Sequence, residues 1–217
     1  MPSAPTISMM RIDSIKAEPD RAGRYWITFD DGTRLALYRQ TVEDYGLYAG
    51  RELTRQEFSA LQQSARQMSA KMRAVRIVAA SAVSKKDLQQ RLVQKGEDPS
   101  QAAEAVAWME EMHLVDDEET ARQVVARCAA KGYGLARAKQ ALYEKKIPKT
   151  YWDAALADYP DQSDHILAFL QSRLSDDADQ KQVKKAVDAL LRRGHSYSEI
   201  RTVLGRINRN ADEYPED

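Results

Sequence analysis

Cysteine is almost absent from this 217-residue chain: Cys128 stands alone, so no disulfide can form within it, and a reducing cytoplasm is the expected compartment. No apolar run approaches the roughly 18 residues needed to span a membrane. The opening "MPSAPTISMM" lacks the basic start and apolar centre of a secretion signal, and reads as a mobile tail. Net charge is missing too. The 33 Lys and Arg residues cancel 33 Asp and Glu, which argues against a strong global attraction to nucleic acid or membrane. The only histidines, His113, His165 and His195, lie too far apart in sequence to form a metal-ligand pair, so neither metal nor cofactor is expected. Ser81, Ser84, Ser196 and Cys128 show no nucleophile–base arrangement. "GYG" (132–134) is too short for a phosphate-binding loop. Catalysis is therefore the least supported class, and the chain is expected not to be an enzyme.

The charged fraction of 30% beside 43% hydrophobic residues describes a soluble, helix-rich protein. Only the start departs from this. "RYWITF" (24–29), "DDG" (30–32) and "TRLALY" (33–38) read as strand, tight turn, strand, and 11–15 adds a third strand. From Thr54 the apolar period changes from two to 3.6. Helix starts recur as a capping residue followed three positions later by an acid: Thr54/Glu57, Ser84/Asp87, Asp116/Glu119, Thr150/Asp153 and Ser196/Glu199. "DPSQ" (98–101) adds an Asp cap with Pro in the first helical position. Core stripes follow at helical spacing: Ala102/Ala105/Val106/Met109, Ala121/Val124/Val125/Cys128, Trp152/Ala155/Leu156/Tyr159, Ile166/Phe169/Leu170 and Ile200/Val203/Leu204/Ile207.

The helices repeat. "RLVQKGEDPSQ" (91–101), "ALYEKKIPKTY" (141–151) and "ALLRRGHSYSE" (189–199) share a plan, with Leu92, Leu142 and Leu190 at matching places. The expected fold is mainly α: three tandem three-helix repeats forming an elongated curved solenoid, preceded by a small antiparallel β-hairpin or sheet. The segments are a tail (1–9), a β-stranded leader (10–53), a linking helix with the first repeat (54–115), the second repeat (116–160), the third repeat (161–209) and an acidic C-terminal tail (210–217).

The run Asp116–Asp117–Glu118–Glu119 sits where the second repeat begins. Asp116 is the expected N-cap, with the following acids in a first turn whose dipole favours negative charge. Charge is otherwise banded. Residues 121–150 carry Arg122, Arg127, Lys131, Arg137, Lys139, Lys145, Lys146 and Lys149 against Glu144 alone; 151–180 hold seven aspartates against Arg173; 181–210 turn basic again through residues that include Arg192 and Arg193. These bands predict a mixed-charge recognition surface. Tyr133, Tyr143 and Tyr151 interleave with the first basic band, an arrangement that can stack exposed bases.

Together "SKKDLQQRLVQKG" (84–96), "LVDDEETARQVV" (114–125), "KGYGLARAKQALYEKKI" (131–147) and "LLRRGHSYSEI" (190–200) resemble the RecX regulators of the bacterial recombinase RecA. The hairpin, "GLYAG" (46–50) and "LTRQEF" (53–58) match a leader found in some members, so the likeness covers roughly residues 10 to 208. Asp117 matches the inter-repeat acidic signature beside Asp116. Gly132 and Gly134 match the glycines before the middle helix of the second repeat, Leu142 and Ile147 match that helix and the break after it, and Gly194 matches the glycine before the last helix. Met112, His113 and Leu114 stand where the pattern has Gly and an aromatic, and Thr120 stands where an aromatic is usual. The resemblance implies a monomeric, non-enzymatic protein that lodges in the groove of the RecA filament on single-stranded DNA, with weak direct DNA contact, and inhibits filament extension, ATPase and recombinase activity. The eight basic residues from Arg122 to Lys149, with Arg192 and Arg193, are the candidate contacts. The alternative is a helical DNA-binding protein acting without RecA, either a helix-turn-helix regulator or a single-strand binder.

Overall fold

Alternation along "RYWITF" puts Ile27 and Phe29 on one buried face, and the sheet follows from burying that face. The computed structural model describes residues 9–175 and 178–207; the expected N-terminal tail, apart from Met9, and the acidic C-terminal tail lie outside them. Strands β1 (Met9–Ile15), β2 (Arg24–Phe29), β3 (Arg34–Tyr38) and β4 (Glu52–Thr54) form an antiparallel sheet in the order β3-β2-β1-β4. The β2–β3 turn uses Gly32 at φ +83°, and the Asp31 carboxylate accepts from the Thr33 amide at 2.8 Å. The expected third strand is β1. The fourth strand was not foreseen, and neither was the short helix α1 (Arg39–Asp44).

The chain divides into two compact units, residues 1–80 with 88–114, and residues 81–87 with 115 onward. In the first, Ile12, Ile27, Phe29, Leu37, Leu47, Leu53 and Leu61 form a core, with the Phe58 ring edge-on to Phe29 at 4.9 Å. Helix α2 (Arg55–Ala80) starts at a full capping box: the Glu57 carboxylate accepts from the Thr54 amide at 2.7 Å, and the Thr54 hydroxyl accepts from the Glu57 amide. Small residues, Ala70 and Ala74 on α2 with Ala102 and Ala105 on α4 (Pro99–Glu111), are fully buried where these two helices pack. Helix α3 is Lys85–Gln94.

The second unit holds α5 (Asp117–Ala130), α6 (Leu135–Glu144), a 3-10 turn (Lys149–Tyr151) and α7 (Trp152–Leu156), then α8 (Ser163–Arg173), α9 (Gln180–Arg192) and α10 (Tyr197–Ile207). Two cores serve the two triplets: Ala121, Val124, Val125, Leu142 and Ile147 in one, and Ile166, Leu170, Ala186, Leu190, Ile200 and Val203 in the other. The fold is thus mainly helical, with a small sheet that comes first in chain order. No helix among the described residues is long and apolar enough to cross a membrane. One expected cap is absent: Thr150 lies inside the 3-10 turn, and α7 has no side-chain cap. Pro148 precedes that turn and the chain enters α7 already helical, so Thr150 never takes the extended backbone a cap requires. A box that was not foreseen opens α9, between Asp179 and Gln182.

The repeat has a physical basis in the helix C-termini. Leu92, Leu142 and Leu190 are buried, and each carbonyl accepts from the amide five residues on, at 3.1, 3.1 and 3.2 Å. The residue four positions after each leucine turns left-handed: Gly96 at φ +91°, Lys146 at +56°, Gly194 at +88°. The end of α4 makes the same turn with His113 at +54°, within the stretch where the resemblance sets a glycine. A left-handed backbone costs an L-residue roughly 1–2 kcal/mol. Lys146 has an offset, because its ammonium pairs with the buried Asp87 carboxylate at 2.9 Å. No comparable bond holds the exposed His113 among the described residues. His113→Gly should therefore stabilise the protein by about 1 kcal/mol in urea titration at unchanged m-value, whereas Lys146→Gly should destabilise it.

Candidate functional site

Residues 131–134, "KGYG", are tied down at every position. The Lys131 carbonyl accepts from the Arg193 guanidinium at 2.9 Å, the Gly132 carbonyl from His195 Nε2 at 3.0 Å, and the Tyr133 carbonyl from the Tyr159 hydroxyl at 2.6 Å; the Gly134 amide donates to the Arg193 carbonyl at 2.9 Å. Beyond it, the Ala136 amide donates to the Gly194 carbonyl at 3.2 Å. The α5–α6 loop and the α9–α10 turn thus cross backbone to backbone. A Cβ on Gly134 would overlap the Gly194 carbonyl and the His195 amide, and one on Gly194 would overlap the Arg137 amide. A Cβ on Gly132 would lie 2.6 Å from the His165 ring.

His195 is buried, and burial pushes its imidazole below the ordinary value. The neutral ring carries its proton on Nε2, since that nitrogen faces a carbonyl, which can only accept. Nδ1 finds no partner among the described residues. Burial also pushes the Tyr159 phenol up to about 12, so it remains a donor.

Over this crossing lies an open cleft of about 380 Å³, lined chiefly by Tyr133, Arg137, Phe169, Arg173, Arg192 and Arg193. The Arg193 guanidinium sits 5.0 Å from the Tyr133 ring centroid and 5.6 Å from that of Phe169, and Arg173 lies 5.3 Å from Phe169. Arg137 pairs with Glu144 at 3.1 Å. Arg173 and Arg192 are exposed and make no ion pair among the described residues.

The candidate cations scatter into different environments. Arg122 pairs with Glu118 at 2.6 Å and Glu119 at 3.1 Å. Lys145 donates to the Ala82 carbonyl at 3.2 Å, and Lys146 is held by Asp87. Arg127, Lys131, Lys139 and Lys149 are exposed to solvent. Only Arg137, Arg192 and Arg193 meet in the cleft. Sequence reasoning missed Arg173 and Phe169, having assigned the first to an acidic band and the second to a core stripe; their i, i+4 spacing was the available signal. The three tyrosines also separate: Tyr133 lines the cleft, Tyr143 is 72% exposed, and Tyr151 packs against the α5–α7 core.

The four acids open α5 as expected, with distinct tasks. Asp116 is the N-cap, accepting from the Glu118 and Glu119 amides at 2.8 and 3.1 Å. Asp117, 4% exposed, accepts from the Lys85 amide at 2.8 Å, while Glu118 and Glu119 hold Arg122. Thr120 is buried with its hydroxyl 3.4 Å from the Val83 carbonyl, which leaves little room for the aromatic usual in the resembled pattern.

Because the obstruction at each crossing glycine is backbone, neighbouring side chains cannot relieve it. Gly134→Ala and Gly194→Ala should each cost about 3 kcal/mol or more in denaturant unfolding. The exposed Gly23→Ala change meets no atom within 4 Å and, despite its φ of +80°, should cost less.

A sequence model described as the second three-helix domain of RecX matches residues 116–156, the stretch that contains the tethered loop and Arg137. The regulatory protein RecX of Cronobacter sakazakii is 32% identical over 96 residues, 40% of this chain and 58% of the relative's length. That of Chlorobaculum tepidum is 30% identical over 148 residues, covering 64% of this chain and 91% of the relative. Among solved structures, a crystal structure of regulatory protein RecX superposes with a TM-score of 0.61 at 19% identity, covering 90% of this chain and 98% of the other, a likeness of fold. The matched domain, the near-complete coverage of the Chlorobaculum relative and the shared fold place this chain in the RecX family of regulatory proteins.

Proposed function

We propose that this protein docks on the filament that RecA forms on single-stranded DNA and limits the filament's extension, and with it ATP hydrolysis and recombination. The observation that carries the reading is a coincidence of place. The stretch matching the family's second three-helix domain is also the stretch whose loop is tied down at each residue beneath an arginine-rich cleft. A rigid, cation-lined cleft suits recognition of a partner surface, because little conformational freedom is lost on binding. The banding of charge favours a partner that presents both signs, such as a protein coated onto nucleic acid, over bare duplex. Exposed Asp153, Asp158, Asp161 and Asp164 in the second unit would oppose duplex phosphates.

ATP hydrolysis by RecA on single-stranded DNA should fall when this protein is added below RecA's own concentration. Substoichiometric action is expected of a factor acting on filament growth, since one bound molecule blocks many later additions. Unchanged hydrolysis would contradict the proposal, and tight binding to bare DNA beside it would favour the DNA-binding alternative.

A further inference from the structure

We infer that the Tyr133–Arg193 cleft is a receptor for a short acidic peptide segment, which on the reading above is a carboxylate-rich stretch displayed by the filament protein. Four guanidinium groups line it, from Arg137, Arg173, Arg192 and Arg193, and of these Arg137 pairs with Glu144. Guanidinium is planar and matches a carboxylate or a phosphate with paired N–H donors, so the cleft is built for an oxyanion. Arg193 is fixed by the Lys131 carbonyl and by two rings, and Arg137 by Glu144 and by its place in the first turn of α6. Arg173, over the Phe169 ring, and Arg192 are both exposed, and neither makes an ion pair among the described residues.

Two features favour a peptide over a strand of nucleic acid. Single-strand binders combine a cationic track with ring faces on which bases stack. Here the faces of Tyr133 and Phe169 already carry guanidinium groups within 6 Å, so the cleft offers charge and hydrogen bonds in place of a stacking platform. The positive field is also local. Helix α8 carries Asp164 in its first turn and Arg173 in its last, and a strand continuing along it would leave cations for carboxylates. A few acidic side chains need only the cleft itself, whose volume of about 380 Å³ is near the lower end for a small-ligand site.

The test uses the full chain, with a fluorescein-labelled, capped oligoglutamate peptide and a labelled oligothymidylate of equal charge, titrated by anisotropy at one ionic strength. The peptide should bind more tightly than the oligothymidylate. Arg173→Ala and Arg192→Ala should each weaken peptide binding by about tenfold, the loss expected for one charge-assisted contact, while Arg127→Ala outside the cleft should leave it unchanged. Both cleft arginines are exposed, so neither substitution should disturb the fold, and unchanged circular dichroism is the control for that. Oligothymidylate binding as tight as the peptide's, peptide binding indifferent to these substitutions, or no peptide binding at all overturns the inference. Because RecA is absent from this titration, the two readings fail separately. Suppression of RecA without peptide binding sinks the acidic-peptide receptor alone, whereas peptide binding without suppression sinks the RecA proposal and leaves the cleft as a receptor.

Discussion

Where Gly134 and Gly194 meet, two backbones touch with no side chain between them, and the arrangement of the second unit depends on that contact. It exchanges two hydrogen bonds, from the Gly134 amide to the Arg193 carbonyl and from the Ala136 amide to the Gly194 carbonyl. It thereby joins the first turn of α6 to the last turn of α9. Arg193 immediately precedes Gly194, and the Arg137 backbone packs against Gly194 in space, so the same contact delivers both guanidinium groups to the cleft. Tyr133 follows, since its carbonyl is held by Tyr159 while its ring lies against Arg193. The glycines belong to the recognition geometry through what they let approach.

The same economy of local chemistry runs through the repeats. A buried leucine, a left-handed residue four positions later and a return hydrogen bond to the leucine carbonyl end α3, α6 and α9 alike. Glycine satisfies the left-handed position without cost in two of them. In the middle repeat Lys146 occupies it, and its ammonium reaches the Asp87 carboxylate, so a backbone penalty and an ion pair coexist at one residue. The acidic opening of α5 is comparably dense: one carboxylate caps its own helix, one accepts from the first amide of α3, and two hold Arg122. None of the four is left over for a further task.

Much of this was legible because it is local. The alternation of "RYWITF", the Asp-Asp-Gly turn, the Thr54/Glu57, Asp98 and Asp116 caps and the leucine spacing each record a short-range rule. What was not legible depends on partners distant in sequence. Strand β4 is three residues long and exists through pairing with β1, some forty positions upstream, so no periodic pattern announces it. Phe169 packs against the core its stripe predicts, and only the end of α9, which brings Arg193 over its ring, makes it a cleft residue as well. Lys145 and Lys146 look like members of a solvated basic band, and only the return of the chain at 82–87 shows them engaged. The cleft therefore emerged from three candidate cations and two residues the sequence had filed elsewhere.

Amide hydrogen exchange at Gly134 tests the central contact most directly. Loop amides open to solvent exchange fast, while those bonded inside a cooperative unit wait for that unit to open. If the crossing organises the second unit, the Gly134 amide should exchange as slowly as the amides in the body of α9, and should lose protection together with them as denaturant is added. A Gly134 amide that exchanges at the rate of an exposed loop, while α9 stays protected, would contradict the account.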